Sequence, residues 1–135
     1  MKKRLTFVLL LTIILIITVG CSGGKASFKD GHYDAKSEED DNGYSSTIDI
    51  VVKDGKIDSV VYDELDENGG KKSEDEDYAS LMKDVSGTTP AEAYEQLENA
   101  LVKTQNPDKI DAVSGATGSS ETFKKLAKEA LDKAK

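Results

Sequence analysis

Apolar and polar positions along the chain change pattern several times, and each pattern predicts a different element. Leu5 to Val19 is an apolar run broken only by Thr6, Thr12 and Thr18. Thr47 to Lys53 and Lys56 to Glu64 carry the alternation of a half-buried strand. Asp54-Gly55 between them predicts a two-residue hairpin turn of the type I′ class. Straight pairing from that turn sets Val52 opposite Ile57, Ile50 opposite Ser59 and Ile48 opposite Val61 on a mostly apolar face. Val51 with Asp58 and Asp49 with Val60 then share the more polar face, as in an antiparallel sheet buried on one side. His32 to Lys36, after the Asp30-Gly31 turn, predicts a short first strand.

Beyond the polar Asp66–Lys72 loop the period lengthens to that of helices. Tyr78, Leu81, Met82 and Val85 fall at i, i+3, i+4 and i+7, which predicts a helix burying that face. Ser73 and Glu76 have the spacing of a capping box at its start. Thr89-Pro90-Ala91-Glu92 predicts a second capped helix with proline at its favoured first position. Its stripe is Tyr94, Leu97 and Leu101, and Asn106-Pro107 ends it. A last helix starts near Ser119 and buries Phe123, Leu126, Ala127, Ala130, Leu131 and Ala134. The fold class is therefore α+β, a small antiparallel sheet with an Asp-Gly hairpin packed by about three helices.

The N-terminal run changes the picture from a globular domain to an exported one. Lys2, Lys3 and Arg4 precede the apolar stretch, and Gly20-Cys21 follows it, the layout of an export signal. Thr18-Val19-Gly20-Cys21 reads as a lipobox with Cys21 as the lipidated residue. An uncleaved anchor helix is the other reading of the same residues, and both place the remainder outside the cytoplasmic membrane. This gives a signal at 1–20, a flexible tether at 21–29 rich in small polar residues, and a domain at 30–135. Cys21 is the only cysteine, so no internal disulfide forms and no thiol is left for metal or nucleophilic chemistry. Cleavage before Cys21 removes Lys2, Lys3 and Arg4 and no acid, leaving 15 basic residues against 26 acidic ones, a formal charge of −11. That balance excludes nucleic acid as a partner and disfavours lying flat on an anionic membrane.

Chemistry concentrates in one segment. Lys109 to Ser120 is rich in small residues and hydroxyls and enters the N-terminus of the last helix. Helix N-termini present unpaired N–H groups and the positive end of the helix dipole, so they seat phosphate well. Gly115 and Gly118 let backbone turn sharply or approach a ligand closely. Read from the residues alone, the segment is either a phosphate seat or an ordinary Gly/Ser loop capping a helix. It has no Gly-Lys-Ser/Thr element and so is not a P-loop. No catalytic dyad or metal set is visible elsewhere. His32 is the only histidine and carries no assigned role. Glu38, Glu39, Asp40 and Asp41 form a solvated run without the ligand spacing of a calcium loop. Spacing favours a core face for Tyr78 and Met82 and a solvated loop for Lys71 and Lys72, with contact to a bound cofactor as the alternative for all four.

Asp111-Ala112-Val113-Ser114-Gly115-Ala116-Thr117 resembles the flavinylation motif of FMN-binding domain proteins, D-x-x-[ST]-G-A-[ST], at every fixed position. The resemblance extends over roughly 28–135 through Asp30-Gly31-His32-Tyr33, Val52 to Ile57, and Lys71-Lys72-Ser73 before Tyr78 and Met82. The family includes flavin-carrying subunits of sodium-pumping and Rnf-type respiratory complexes and small lipoproteins of extracellular electron transfer. The larger flanking regions of the respiratory subunits are absent, so the resemblance carries no ion-pumping role.

The resemblance implies FMN joined through a phosphoester to Thr117 by a flavin transferase. Asp111, Ser114, Gly115 and Ala116 would belong to the cofactor-binding loop, Asp111 through transferase recognition or loop geometry. The N–H groups of Gly118, Ser119 and Ser120 would receive the phosphate. It also implies a lipid-anchored electron carrier on the outer face of the cell membrane, not an enzyme with its own substrate. A membrane dehydrogenase or quinol pool would donate electrons, and a second flavoprotein, a reductase or an external acceptor would take them. The alternative is a surface lipoprotein that binds a ligand or partner without covalent flavin.

Overall fold

Asp54 and Gly55 both take positive φ, 52° and 73°, the requirement of a type I′ turn. They join the two central strands of a computed structural model that describes residues 27–135. Cys21, the export signal and the tether up to residue 26 lie outside the described residues. Strands β1 (Gly31–Glu39), β2 (Ser45–Lys53) and β3 (Lys56–Leu65) form an antiparallel sheet in the order β1-β2-β3. Helices α1 (Glu76–Ser86), α2 (Pro90–Thr104) and α3 (Thr117–Asp132) follow. The α+β class and the three helices thus match the sequence pattern. β1 runs past the predicted His32–Lys36 at both ends.

The hairpin register departs from straight pairing after one step. Val52 faces Ile57 as the pattern predicts, but Val51 faces Ser59, Ile50 faces Val60 and Ile48 faces Tyr62. Asp58 is the extra residue of a β-bulge, and a one-residue slip moves every later side chain to the opposite face. The slip buries Val60 and Tyr62 and leaves Val61 64% exposed. It is favoured because Tyr62 offers a large ring to the core, edge-on to Tyr94 at 4.9 Å and to Phe123 at 5.2 Å between centroids.

α2 packs across β3, and α3 across β1 and β2. Their buried stripes, Tyr94, Leu97 and Leu101 with Phe123, Leu126, Ala127, Ala130 and Leu131, meet Ile48, Ile50 and Val52 of the sheet. Thr89 and Glu92 form the reciprocal capping box of α2. The free edge of β3 is covered by α2 side chains. Glu98 accepts from the Tyr62 N–H at 2.7 Å, and Gln105 both accepts from the N–H and donates to the carbonyl of Ile57. Those bonds occupy groups that would otherwise template pairing with another chain. At the N-terminal end, Phe28 packs on the core, and the Lys29 N–H donates to the Ala134 carbonyl at 2.7 Å. Phe28 and Lys29, placed in the tether by composition, are therefore attached to the domain.

α1 departs furthest from the sequence pattern. Its N-cap is Asp75, whose side chain accepts from the Tyr78 N–H, and not Ser73. Lys72–Glu74 forms a 3-10 turn ahead of it, which directs the Ser73 backbone and hydroxyl to Asp63. No residue of α1 is buried. Its main contacts are with α2 and the 3-10 turn, and of its stripe Met82 packs, half-buried, against the core, while Leu81 and Val85 stay exposed.

Candidate functional site

The stripe of α1 faces a groove whose other side is the start of α3. Tyr78, Leu81, Met82, Val85 and Ser86 form one wall, Gly115 to Ser119 the opposite rim, and Pro90 and Tyr94 the base, with Lys72 at one end. The open groove has a volume of about 360 Å³, within the range of small-molecule sites. Leu81 and Val85 are 65% and 81% exposed. Exposed apolar residues side by side on a cleft mark a surface meant to be covered.

The loop before α3 reaches this groove because of Gly115. Its φ is +85°, and a Cβ there would lie 2.6 Å from the Ser86 Cβ and 2.9 Å from the Ser86 carbonyl oxygen. Only glycine permits both the left-handed backbone and that approach to the end of α1. The close approach predicted for Gly118 is not to protein, since a Cβ there would meet nothing within 4 Å. Gly118 leaves room at the mouth of the groove for something else.

α3 begins at Thr117, two residues before the predicted Ser119, with Ala116 as an N-cap that makes no side-chain bond. The hydroxyls predicted as candidates separate by burial. Ser120 is fully buried, donating to the Ala116 carbonyl at 2.7 Å and accepting from the Val113 N–H at 3.0 Å. Ser119 is half-buried and lines the groove with Tyr94. Thr117 is exposed and lines the groove. Ser114 and Asp111 are exposed on the loop but do not line it. The Ser120 N–H, predicted to receive phosphate, is used by the Ala116 carbonyl at 2.9 Å. The earlier N–H groups of Gly118 and Ser119 precede the first intrahelical bond and remain for a ligand.

Tyr78 and Met82, the weaker candidates for flavin contacts, both line the groove, and Met82 also packs, half-buried, against the core. Lys72 is buried and not solvated, while Lys71 stays exposed and pairs with Glu74 at 3.1 Å. The Lys72 ammonium lies 2.7 Å from Glu64 Oε2 and over two rings, 4.3 Å from the Tyr44 centroid and 4.7 Å from that of Tyr78. Burial pulls this amine down, but hydrogen bonding and charge from Glu64, with Tyr78, more than offset it. Lys72 is held above the ordinary lysine value and stays charged. Glu64 Oε1 also accepts from the Tyr62 hydroxyl, which lies 3.2 Å from the Ser46 hydroxyl as well. Burial first, and the Glu64 charge second, push the Tyr62 and Tyr94 phenols up, so both are neutral, Tyr94 at the base of the groove and Tyr62 in the core. Nothing in the spacing of Lys72 signals its burial, because its partners lie on β3 and on the loop after β1. His32, exposed on the sheet, lies 3.8 Å from Asp49 and far from these groups in the fold.

The chain matches the model of the FMN-binding domain over residues 43–132, which includes the bulged hairpin, α1, the loop and α3. It is 36% identical to a 15 kDa lipoprotein of Treponema pallidum (strain Nichols), an alignment covering all of this chain and 93% of that protein. A crystal structure of a Clostridium perfringens protein is similar at 45% identity and a TM-score of 0.76, covering 79% of this chain and 88% of that one. A solution structure from Clostridium thermocellum is similar at 35% identity and a TM-score of 0.51, covering 79% and 92%.

Proposed function

As the chain belongs to the FMN-binding domain family, we propose that it is a lipid-anchored electron carrier holding FMN covalently through Thr117. The observation that carries this reading is the placement of Thr117. It has an exposed hydroxyl at the first turn of α3, inside the Asp111–Thr117 sequence, on the rim of an apolar groove. The residues fit the cofactor at both of its ends. The uncapped start of α3 offers Gly118 and Ser119 N–H groups and a positive dipole end to a phosphoester. Tyr78, Leu81, Met82 and Val85 offer an apolar wall to a flat ring. The Ser114–Ala116 side chains are small enough to leave the approach open.

Bound flavin supplies the redox chemistry, and the protein supplies tethering, orientation and electrostatics. The paired, charged Lys72 and the neutral phenol of Tyr94 line the groove, so Lys72 supplies its fixed charge. A lipid on Cys21 would hold the domain at the outer face of the membrane, and the similarity to a 15 kDa lipoprotein along the whole chain supports that attachment. Covalent linkage suits that location, where a free cofactor is lost by diffusion. A flavin transferase would make the bond, and a membrane dehydrogenase or quinol pool would deliver electrons.

The test is co-expression of the full chain with a flavin transferase, followed by a denaturing gel and intact mass. A fluorescent band in the wild type and in Thr117→Ser, and none in Thr117→Ala, is the expected result. A band that survives Thr117→Ala, or none in the wild type, overturns the attachment. The exposed Leu81 and Val85 also suit a binding lipoprotein without covalent flavin, and a native mass of polypeptide plus lipid alone would favour that reading.

A further inference from the structure

Among the described residues Lys72 is the one cation in the groove lining, and it is held by several partners. A buried ammonium is costly unless it is paired and hydrogen-bonded. Here one carboxylate, Glu64, and the faces of Tyr44 and Tyr78 meet that cost. Glu64 is itself fixed from behind by the Tyr62 hydroxyl. Replacing such a pair with apolar residues is often neutral or stabilising, so a buried pair is weak evidence of a purely structural role. The pair is also oriented. Lys72 lines the groove and Glu64 does not, and its ammonium lies 4.7 Å from the ring of Tyr78, a residue of the groove wall.

We propose that Lys72, held by Glu64, is the residue that sets the reduction potential of the flavin in this groove by stabilising negative charge on the ring. The inference rests on the groove being the flavin site. Two-electron reduction of an isoalloxazine at neutral pH takes up two electrons and one proton and leaves net negative charge on the ring. A fixed cation close by, in a low-dielectric wall, favours the reduced form and raises the potential. Glu64 opposes that field, so the two partners act on the potential with opposite sign. A residue needed only for packing has no such sign.

The experiment uses the full chain co-expressed with a flavin transferase, with intact mass fixing the flavin-loaded fraction. Potential is read against a reference dye, with xanthine and xanthine oxidase supplying electrons. Lys72→Met is expected to lower the reduced-to-oxidised ratio at fixed dye poise about tenfold, roughly 30 mV for a two-electron couple. Lys72→Arg restores most of it, and Glu64→Gln moves the potential upward. If Lys72→Met does not fold, the Lys72→Met/Glu64→Gln double variant leaves no buried unpaired charge and is expected to lower the potential as well. Flavin present with an unchanged potential in the folded variants overturns the role of Lys72 alone. So does a shift of the same sign in Lys72→Met and Glu64→Gln. A wild-type mass without flavin overturns the site reading and this inference together.

Discussion

Gly115→Ala is predicted to destabilise the domain by about 3 kcal/mol, and the figure has two separable sources. The left-handed backbone at φ +85° costs a non-glycine residue about 1–2 kcal/mol. The added methyl would sit 2.6 Å from the Ser86 Cβ and 2.9 Å from its carbonyl oxygen. Neither atom is the free end of a flexible side chain, so α1 or the loop must shift, at roughly the 1–3 kcal/mol of an overpacked site. With a urea slope of about 2 kcal/mol/M, the midpoint falls by about 1.5 M. Gly118→Ala is the internal control. It lies in the first turn of α3 at ordinary helical φ with nothing within 4 Å of its would-be Cβ. Alanine there is expected to be neutral or to stabilise by up to about 1 kcal/mol. Urea unfolding followed by far-UV circular dichroism measures both variants. A Gly115→Ala midpoint within about 0.3 M of wild type would refute the reasoning, since it would mean that the loop is not pressed against α1. A loss in Gly118→Ala equal to that in Gly115→Ala would refute it too.

Ser120→Ala removes the hydroxyl that joins the Ala116 carbonyl to the Val113 N–H, and chemical unfolding should show a loss of about 1–2 kcal/mol. Thr89→Ala breaks the α2 capping box and should cost about 1 kcal/mol by the same assay. Stability should fall on the alkaline side. Lys72, Tyr62 and Tyr94 all have folded pKa values above their ordinary ones. Their contribution is complete below about pH 10 and is lost as pH rises through the folded values. Thermal melts from pH 8 to 11 should therefore show a falling midpoint. Phenolate absorbance should show two of the five tyrosines ionising only as the fold is lost. Glu98→Ala exposes the Tyr62 N–H on the β3 edge, and light scattering after heating should report faster association than in wild type.

The elements were legible in the sequence wherever one physical rule decides the outcome alone. Asp54-Gly55 specifies its turn, Thr89 to Glu92 specifies a helix start, and the stripes of α2 and α3 have one face each to bury. The misses come where two rules compete. Alternation through Lys56–Glu64 is ambiguous, because Ser59 and Val61 on one face, or Val60 and Tyr62 on the other, continue Ile57 equally well on paper. The bulge at Asp58 settles it in favour of the larger ring, a choice made by Tyr94 and Phe123 from distant helices. Ser73 satisfies the pattern of a helix cap, but Asp63 claims both its N–H and its hydroxyl. Asp75, two residues on, takes over the cap.

The candidate site was half legible for a deeper reason. Hydroxyls and glycines between two helices are out of place in a core, so Asp111 to Ser120 stands out by composition. The opposite wall does not, because a groove for an apolar ring is made from the residues of a core. Tyr78, Leu81, Met82 and Val85 at i, i+3, i+4 and i+7 describe a helix with something apolar on one side. Periodicity cannot say whether that something is sheet or ligand. Length and loops decide it. The 3-10 turn at Lys72–Glu74 and the Gly87 cap of α1 hold α1 off the sheet, and Gly115 then brings Thr117 to its exposed face. The same displacement explains Lys72, since a lysine beneath a helix that stood on the sheet would have no groove to face. An apolar stripe left 65% and 81% exposed at Leu81 and Val85, across from an uncapped helix start, is thus one feature seen from two sides.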